Sequence, residues 1–487
     1  MPSRPLDHKR RGEATEKLMI FLRSRIVGQD RALRYIASAF SRMDSKLRNK
    51  QKPIGSFLML GPSGVGKSET ARVLAKYLFG HRDYLTLIDC TAFSQPHEVA
   101  KLKGAPPGYV GFKESGKDPE SPYPYLSHYN VYKYDHWRLR DAHKQEIKEI
   151  EDLGEKLADM ERFIDRIADE LGENRTELGE IIKSKTFLIS NLDRLRNESR
   201  GNKKEETAII ELKKSVAKLE KEQKERFAKS TELREKIENI KKELFEAGEE
   251  FNGKLARAFE EGWLYSPDQP SERLKAVALF DEIEKADRDL PRHIMEILDT
   301  GRFECDNGDV VSFKNTFVFA TSNVGQRQIS DLLNSSSIGF QKRQTISEQE
   351  MDKKIYEIAM EELKKEFDQE FLNRFDKIVV FHPLGKEAIA KILEIRIADL
   401  MEELETAGFP IRLKLATEVK NFLVAKAMKR TEEGARLLSK RLDSYIRDGL
   451  AALEATGQIK GKDCVLIKLG ENDEIVFEKG TKKRRRK

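Results

Sequence analysis

Features typical of secreted or membrane-bound proteins are nearly absent from this sequence of 487 residues. Its three cysteines, Cys90, Cys305 and Cys464, are widely separated, so they offer neither a CxxC zinc knuckle nor a disulfide framework. No apolar stretch approaches the roughly 20 residues of a membrane-spanning helix, and the N-terminus has no apolar signal region. We therefore expect a cytoplasmic protein that does not enter a membrane.

The net charge of the chain is also small. The formal net charge is +6, and residues 482–487, all Lys or Arg, carry that much charge by themselves. Because the remainder is neutral overall, bulk charge gives no support for nucleic acid as a partner. The basic tail, residues 480–487, either contacts an acidic partner or is simply solvated.

Proline is missing from residues 125–266, although the chain contains 15 prolines. In this stretch apolar residues follow a heptad pattern over residues 150–195 and, after a polar turn around Gly201, over residues 209–244. Such spacing, with charged residues between, is typical of a coiled coil. The sequence therefore predicts a long antiparallel coiled-coil hairpin, assigned to residues 121–264, with arms of roughly 80–90 Å at 1.5 Å per residue.

Two features of the hairpin each allow two interpretations. Gln223, Arg226 and Ser230 place polar groups on the apolar seam, which indicates either a hinge or docking patch, or local fraying. At the base of the hairpin, five tyrosines and Trp137 lie within fifteen residues. These aromatic residues predict either a recognition surface or packing of the hairpin root against the core.

The pattern changes on either side of the hairpin. The short apolar runs "GSFLML", "YLTLIDC", "AVALFDE" and "NTFVFATSN" alternate with helical segments, which is typical of a parallel α/β sheet. From about Gly385 the chain is mostly helical and ends with two strand-like runs. We predict an N-terminal segment (1–22), an α/β parallel-sheet core interrupted by the hairpin (23–384) and a small C-terminal α/β domain (385–479).

The run "GPSGVGKS" follows an apolar strand and opens a helix, which is the context of the GxxxxGK[ST] phosphate-binding loop. Its glycines let backbone N–H groups face a phosphate, and the helix N-terminus adds partial positive charge. Lys67 would reach the β- and γ-phosphates of ATP, and the Ser68 hydroxyl would bind Mg²⁺. The ATP-binding residues predicted here are Gly61, Pro62, Ser63, Gly64, Val65, Gly66, Lys67, Ser68 and Glu69.

Two further strands end in polar residues that suit ATP chemistry. The run "VALFDE" delivers Asp281, a ligand for Mg²⁺, and Glu282, a general base for the attacking water. The run "FVFATSN" ends at Asn323, whose amide either contacts the γ-phosphate and water or merely ends a strand.

The order of these motifs, together with "GYVG", "EFLNRFDKIVVFHPL" and "GAR", resembles the ATPase module of the Clp protein unfoldases, specifically the second module of ClpA, ClpB and ClpC. The resemblance covers roughly residues 23–479 apart from the hairpin. It implies an AAA+ ATP hydrolase with a lid domain, bound ATP and Mg²⁺, and a homohexamer that threads protein substrates through a central pore.

The resemblance also implies roles for single residues. Ile26 and Val27 match the segment that packs on adenine, and Asn323 matches the first nucleotide sensor. Arg374 matches the arginine finger, which neutralises charge on a neighbouring subunit's ATP and therefore requires a ring. Arg436 matches the second sensor, which belongs to the lid.

Two loops are implied to contact other proteins. Gly108, Tyr109, Val110 and Gly111 match the pore loop that grips an unfolded polypeptide, the alternative being that the tyrosine packs on the core. Ile338, Gly339 and Phe340 resemble a tripeptide that docks on the ClpP protease, although an ordinary loop with buried apolar residues fits as well. The hairpin has no positional counterpart in the family, and we expect it to gate substrate entry or to bind an adaptor.

Three functions compete at this point. The first is an ATP-driven unfoldase, which the presence of Glu282, Arg374 and Tyr109 favours. The second is a nucleotide-switched remodelling or scaffold ATPase whose hairpin binds a specific partner. The third is a nucleic-acid motor, supported only by the basic tail, with affinity that would collapse with salt.

Overall fold

A computed structural model describes residues 11–104, 125–198, 203–264, 271–306, 308–338, 348–428 and 434–480. The chain divides into two compact units. Met1–Arg138 and Glu272–Lys487 form the first unit, and Leu139–Ser271 form the second. None of the helices within the described ranges is long and apolar enough to cross a bilayer.

The first part of the larger unit contains helices and strands in alternation. They are α1 (Glu13–Arg25), α2 (Asp30–Arg42), β1 (Gly55–Leu60), α3 (Lys67–Phe79), β2 (Thr86–Asp89), α4 (Pro96–Lys103) and α5 (His128–Ala142), the last of which runs on into the second unit. Helices α6 (Lys144–Glu198) and α7 (Lys203–Glu261) follow in the second unit.

The chain then returns to the larger unit. The elements there are β3 (Ala276–Asp281), α8 (Asp289–Thr300), β4 (Arg302–Glu304), β5 (Val310–Ser312), β6 (Thr316–Ser322), α9 (Gln326–Ile338), α10 (Glu348–Glu366), α11 (Gln369–Asn373) and β7 (Lys377–Val380). The C-terminal elements are α12 (Lys386–Thr406), β8 (Arg412–Leu415), α13 (Thr417–Met428), α14 (Gly434–Leu442), α15 (Asp448–Ala455), β9 (Cys464–Leu469) and β10 (Ile475–Lys479).

A five-stranded parallel sheet in the order β2-β3-β6-β1-β7 forms the centre of the larger unit. All residues of β1 and β6 are buried, as expected for a parallel sheet covered on both faces. The rings of Phe57 and Phe319 stack across these strands with centroids 5.2 Å apart. Burial of each such side chain contributes about 1.5–3 kcal/mol. The predicted α/β core is confirmed.

This strand order places three chemically important turns side by side. The carboxyl ends of β3, β6 and β1 are neighbours, because Leu60 pairs with Ser322 and Phe280 with Ala320. Ligands bind beyond the carboxyl ends of strands in open parallel sheets. The fold therefore brings the phosphate-binding loop, the carboxylates and Asn323 to one edge.

The C-terminal residues form a smaller α/β domain with its own core. Helices α12 to α15 surround a three-stranded sheet in the order β10-β9-β8. Strands β8 and β9 are parallel, and β9 and β10 are antiparallel. The predicted small α/β domain is confirmed.

The second unit is the predicted antiparallel coiled-coil hairpin. Helices α6 and α7 contain 55 and 59 residues, which correspond to about 80 and 90 Å. Low-numbered residues of α6 face high-numbered residues of α7, as in the Lys254–Glu149 ion pair at 3.4 Å. Near the distal end, Lys185 contacts Glu220 at 3.1 Å.

The polar residues on the hairpin seam make hydrogen bonds between α6 and α7, and both helices continue past them without a break. Asn174 donates to Ser230 Oγ at 2.7 Å and to the Arg226 carbonyl at 2.9 Å. Lys185 donates to Gln223 Oε1 at 3.2 Å. Asn174 and Ser230 are buried, and a buried polar pair of this kind fixes the register of a coiled coil.

The aromatic residues before the hairpin mostly pack within the larger unit. The Tyr132 hydroxyl donates to the Ser312 carbonyl at 2.8 Å, and burial raises the pKa of Tyr132 to about 12. Tyr134 stacks on Tyr84 with ring centroids 4.9 Å apart. Trp137 contacts Tyr134 edge-on but keeps 41% of its surface exposed. Packing therefore accounts for Tyr132 and Tyr134, whereas Trp137 stays accessible.

Candidate functional site

Lys67 is a buried cation whose hydrogen-bond partners among the described residues are all uncharged. It begins α3 and is 6% exposed. Its Nζ donates to Gly61 O at 2.6 Å, Pro62 O at 2.8 Å and Asn323 Oδ1 at 2.8 Å, all neutral acceptors. Burial lowers the pKa of Lys67 to about 8, against the opposing effect of nearby carboxylates. A phosphate group at this position would supply the missing negative charge.

Two glycines of the loop have backbone conformations that a side chain would strain. Gly61 has φ +136°, and a Cβ there would lie 2.5 Å from the Phe381 carbonyl oxygen. Gly66, with φ +103°, is the residue before α3. The loop therefore fits a backbone cradle that ends in a helix N-terminus and faces an anion.

Ser68 and Asp281 lie together as the sequence predicts. Ser68 Oγ donates to Asp281 Oδ1 at 2.7 Å. Across the described ranges, no group of three or more His, Cys, Asp or Glu residues is arranged to hold a metal ion. A hydroxyl and a single carboxylate instead fit Mg²⁺, which proteins usually hold by one or two carboxylates together with substrate phosphates.

Glu282 has an unusual backbone conformation, with φ 58° and ψ 54° in the left-handed region. Non-glycine residues rarely adopt this region, and such strain concentrates at functional sites. The Glu282 N–H donates to Thr321 Oγ1 at 2.9 Å, so a neighbouring strand helps to hold the turn.

Asn323 is held from both sides. Its backbone N–H donates to Glu284 Oε1 at 3.1 Å, and its side-chain oxygen accepts from Lys67. The other carboxylate oxygen of Glu284 is buried and has no hydrogen-bond partner. Asn323 therefore links the phosphate-binding loop to the turn after β3, which favours a role in the site over an ordinary strand end.

A cavity of about 770 Å³ opens beside these residues. Its lining includes the apolar residues Ile26, Val27, Leu384 and Ile392, as expected for a site that receives a nucleotide base. Lys67, Ser68, Asp281, Glu282 and Asn323 also line it.

The small C-terminal domain also contributes to this cavity. The Ala435 N–H donates to Gly64 O at 3.0 Å, which joins α14 to the phosphate-binding loop. Arg436 lines the cavity, and its positive charge adds to the lowering of the pKa of Lys67. Arg436 therefore lies in the same cavity as Lys67.

Ion pairs tie α12 to the helices beside the cavity. Arg25 pairs with Asp399, and Lys76 pairs with Glu402 at 3.1 Å. Arg396 Nη2 lies 3.5 Å from Glu69 Oε1, next to the predicted Mg²⁺ ligand Ser68.

Several residues that hold the site together are not indicated by the sequence motifs. The polar residues at the end of the run "FVFATSN" could have drawn attention to Thr321, and helical spacing on α12 could have done so for Arg396. The residues concerned are Arg25, Gln29, Lys76, Glu284, Thr321, Arg396, Asp399 and Glu402.

Arg374 does not join the site of its own chain. It follows α11, where its Nε lies 3.1 Å from Asp299 Oδ2 and its Nη2 lies 2.9 Å from Glu370 Oε1. It is not among the residues that line the cavity.

The two predicted protein-contact loops fall largely outside the described residues. Gly108, Tyr109, Val110 and Gly111 all do so, as do Gly339 and Phe340. Ile338 is the last residue of α9.

Comparison with known families accounts for most of the chain. The profile of the AAA domain (Cdc48 subfamily) matches residues 52–125 and 191–378. The profile of the C-terminal, D2-small domain of ClpB protein matches residues 384–467. The unmatched residues 126–190 contain α5 and most of α6.

Similar proteins and structures carry Clp and Hsp104 names. A ClpA homolog from Cyanidium caldarium is 24% identical over 93% of this chain and 35% of its own length. The negative regulator of genetic competence ClpC/MecB from Bacillus subtilis is 25% identical over 93% of this chain and 37% of its own length. The chain thus spans about a third of the length of these curated relatives.

Two solved structures share the fold at 22% identity. One is a closed-state reconstruction of Hsp104 with ATPγS and FITC-casein, with a TM-score of 0.53, and the other is the extended S. cerevisiae Hsp104–casein complex, with a TM-score of 0.55. Both alignments cover 96% of this chain and about half of the other. The family expected from the sequence motifs is confirmed. This chain belongs to the AAA domain (Cdc48 subfamily) family, with a ClpB-type small domain at its C-terminal end.

Proposed function

We propose that this protein is an ATP-hydrolysing unfoldase or disaggregase of the Clp type, which threads polypeptide through the pore of a homohexamer. The observation that carries the proposal is the meeting of Lys67, Ser68, Asp281, Glu282 and Arg436 around one cavity. The relatives named ClpA and ClpC, and the Hsp104 structures that contain casein, support a protein substrate.

The residues of the cavity have different roles in ATP hydrolysis. Lys67 and the N–H groups of the glycine loop bind the phosphates, and Glu282 accepts a proton from the attacking water. Mg²⁺, held by Ser68 and Asp281 together with the phosphates, would neutralise part of their charge. Asn323 orients water near the γ-phosphate, while Arg436 carries the nucleotide state to the small domain.

The position of Arg374 supports the proposal of a ring-shaped oligomer. Arg374 pairs with Asp299 and Glu370 away from its own cavity, whereas an arginine finger neutralises transition-state charge in a neighbour's site. A finger that acts on the next subunit completes every site only in a closed ring. The three free cysteines fit a reducing compartment, and we place the activity in the cytoplasm.

The test uses a tagged, stably folded fluorescent reporter, with ATP turnover measured in parallel. Wild type is expected to unfold the reporter, and Glu282→Gln is expected to bind ATP but to hydrolyse it at least about 100-fold more slowly. Tyr109→Ala is expected to hydrolyse ATP without unfolding the reporter. Unfolding by Tyr109→Ala at the wild-type rate would contradict threading by this loop.

A ClpP-like protease in a parallel reaction tests docking through residues 338–340. Degradation of the reporter by wild type, lost when Ile338 and Phe340 are both replaced by Ala, supports docking. Unfolding without degradation contradicts it.

The second candidate function is a remodelling ATPase whose hairpin binds a specific partner or adaptor. It is favoured because the hairpin is a separate compact unit that exposes large apolar side chains. Phe187, Phe227 and Phe245 each expose about two-thirds of their surface.

Deletion of the hairpin separates the two candidates. His143 stacks on Trp263 at 4.0 Å, so a short Gly/Ser linker can replace residues 144–261. General unfoldase activity that survives deletion favours the first function. Retained ATPase activity with loss of action on one partner favours the second.

A further inference from the structure

Thr321 is a buried hydroxyl within β6, a strand of seven buried residues. It is 1% exposed, and no role in the site follows from the sequence motifs. A buried hydroxyl costs free energy unless it is hydrogen-bonded. The contacts of Thr321 therefore explain why a polar residue is tolerated near the carboxyl end of this buried strand.

The hydroxyl of Thr321 contacts two successive functional residues on the neighbouring strand. It donates to Asp281 Oδ1, the oxygen that also accepts from Ser68. It accepts from the Glu282 N–H at 2.9 Å. One group thus fixes the side chain of the predicted metal ligand and the backbone of the predicted general base.

The contact between the Glu282 N–H and Thr321 involves a strained backbone. Among the described residues, the non-glycine positions with positive φ are Glu282, Lys462 and Asp473. Lys462 and Asp473 are exposed, whereas Glu282 lines the cavity. A strained conformation persists only where the surroundings hold it, and the Thr321 hydroxyl is a group that holds this one.

We propose that Thr321 is a positioning residue for ATP hydrolysis. Its hydroxyl sets the orientation of the Asp281 carboxylate toward the metal and of the Glu282 carboxylate toward water. Thr321 reaches the reacting atoms only through these two residues. The proposal rests on the ATPase activity of the proposed function, not on threading.

The experiment compares Thr321→Val, which removes the hydroxyl at nearly constant volume, with Thr321→Ser, which keeps it. Thr316→Val is the matched control, because Thr316 is equally buried at the other end of β6 and its hydroxyl faces Tyr132. Full-length proteins are assayed for ATP turnover as a function of ATP and of Mg²⁺. Melting curves report whether each variant is folded.

Thr321→Val is expected to lower kcat by about 10–100-fold, the usual effect of losing a residue that orients a metal ligand. KM for ATP should change less than about twofold, because the phosphate-binding loop is untouched, and the Mg²⁺ concentration for half-maximal activity should rise. Thr321→Ser should restore kcat to within about threefold of wild type, and Thr316→Val should leave kcat at the wild-type level.

The proposal is overturned if Thr321→Val turns over ATP at the wild-type rate, or if Thr321→Ser loses as much activity as Thr321→Val. A purely structural role would lower the melting temperature and raise KM without a selective fall in kcat. If Thr321→Val does not fold, the kcat values of Thr321→Ser and Thr321→Cys are compared instead, since cysteine is a weak hydrogen-bonding group of similar size. A lower kcat for Thr321→Cys than for Thr321→Ser supports positioning, and equal kcat values overturn it.

Failure of the proposed function looks different. If wild type does not hydrolyse ATP, that function is wrong regardless of Thr321. Positioning is then tested by the tightening of ATPγS binding by Mg²⁺, which wild type and Thr321→Ser should show and Thr321→Val should lose. Equal tightening in all three proteins overturns the inference.

Discussion

Replacing Lys67 by Met should remove a pH-dependent cost from the nucleotide-free protein while abolishing its stabilisation by nucleotide. Burial lowers the pKa of this lysine from 10.5 to about 8. A pKa shift of one unit corresponds to 1.36 kcal/mol, so the buried charge costs on the order of 3 kcal/mol at pH 7. Met also leaves three acceptors without their donor, at about 1 kcal/mol or more each, so this loss offsets the gain and nucleotide-free Lys67→Met should be no more stable than wild type at pH 7.

The difference in stability between Lys67→Met and wild type should also depend on pH. The pKa of Lys67 is lower in the folded than in the unfolded chain, so the unfolded chain binds more protons between about pH 8 and 10.5. The penalty is therefore complete below about pH 8 and disappears as the pH rises to 10.5. The stability of Lys67→Met relative to wild type should fall across the same interval.

Urea unfolding followed by tryptophan fluorescence measures the stability of the larger unit, which contains Lys67. The chain has two tryptophans, and Trp137 contacts Tyr84 in the α/β unit. A Trp263→Phe background removes the signal of the hairpin. Lys76→Met is the matched control, since Lys76 lies on the same helix but is ion-paired to Glu402.

A stability difference between Lys67→Met and wild type that does not change up to pH 10.5 would refute the reasoning. Saturating ATP should raise the stability of wild type and of Lys76→Met but leave Lys67→Met unchanged, by the linkage between binding and stability.

Three more predictions follow from single contacts. Gly61→Ala should abolish nucleotide binding measured by calorimetry, because its Cβ would lie 2.5 Å from the Phe381 carbonyl; measurable affinity would contradict this. Asn174→Ala should destabilise the hairpin by about 1–3 kcal/mol in circular-dichroism melts, since it leaves buried partners unpaired. An unchanged melt would show that these hydrogen bonds are not needed for the stability of the hairpin. Glu402→Gln should weaken ATP binding by no more than about fivefold, since its ion pair with Lys76 is partly exposed; a larger loss would mean that α12 depends on this pair.

Local patterns account for the parts of the fold that the sequence predicts well. The phosphate-binding loop needs only eight consecutive residues between a strand and a helix, and the hairpin repeats its heptad over most of its length. Asp281 and Glu282 follow an apolar strand directly. Each signal depends on neighbours in the chain, so propensity and periodicity are enough to find it.

Contacts between distant segments account for what the sequence does not predict. Thr321 meets Asp281 only because β6 lies beside β3, and no periodicity encodes that strand order. Arg396 and Glu69 are brought together by the docking of the small domain. The heptad pattern likewise gives no reason to expect that Asn174 and Ser230 satisfy each other. Such pairs depend on tertiary geometry rather than on local pattern.

The position of the hairpin has a consequence for how the chain folds. It is inserted between β2 and β3, which nevertheless pair directly, with Thr86 opposite Ala278. Sheets with such long sequence separations between partners fold slowly, because loop closure must precede the contact. A helical hairpin forms from local contacts and brings His143 against Trp263 at its base. Early formation of the coiled coil would shorten the effective loop between β2 and β3, so the insertion imposes a smaller kinetic barrier than its length suggests.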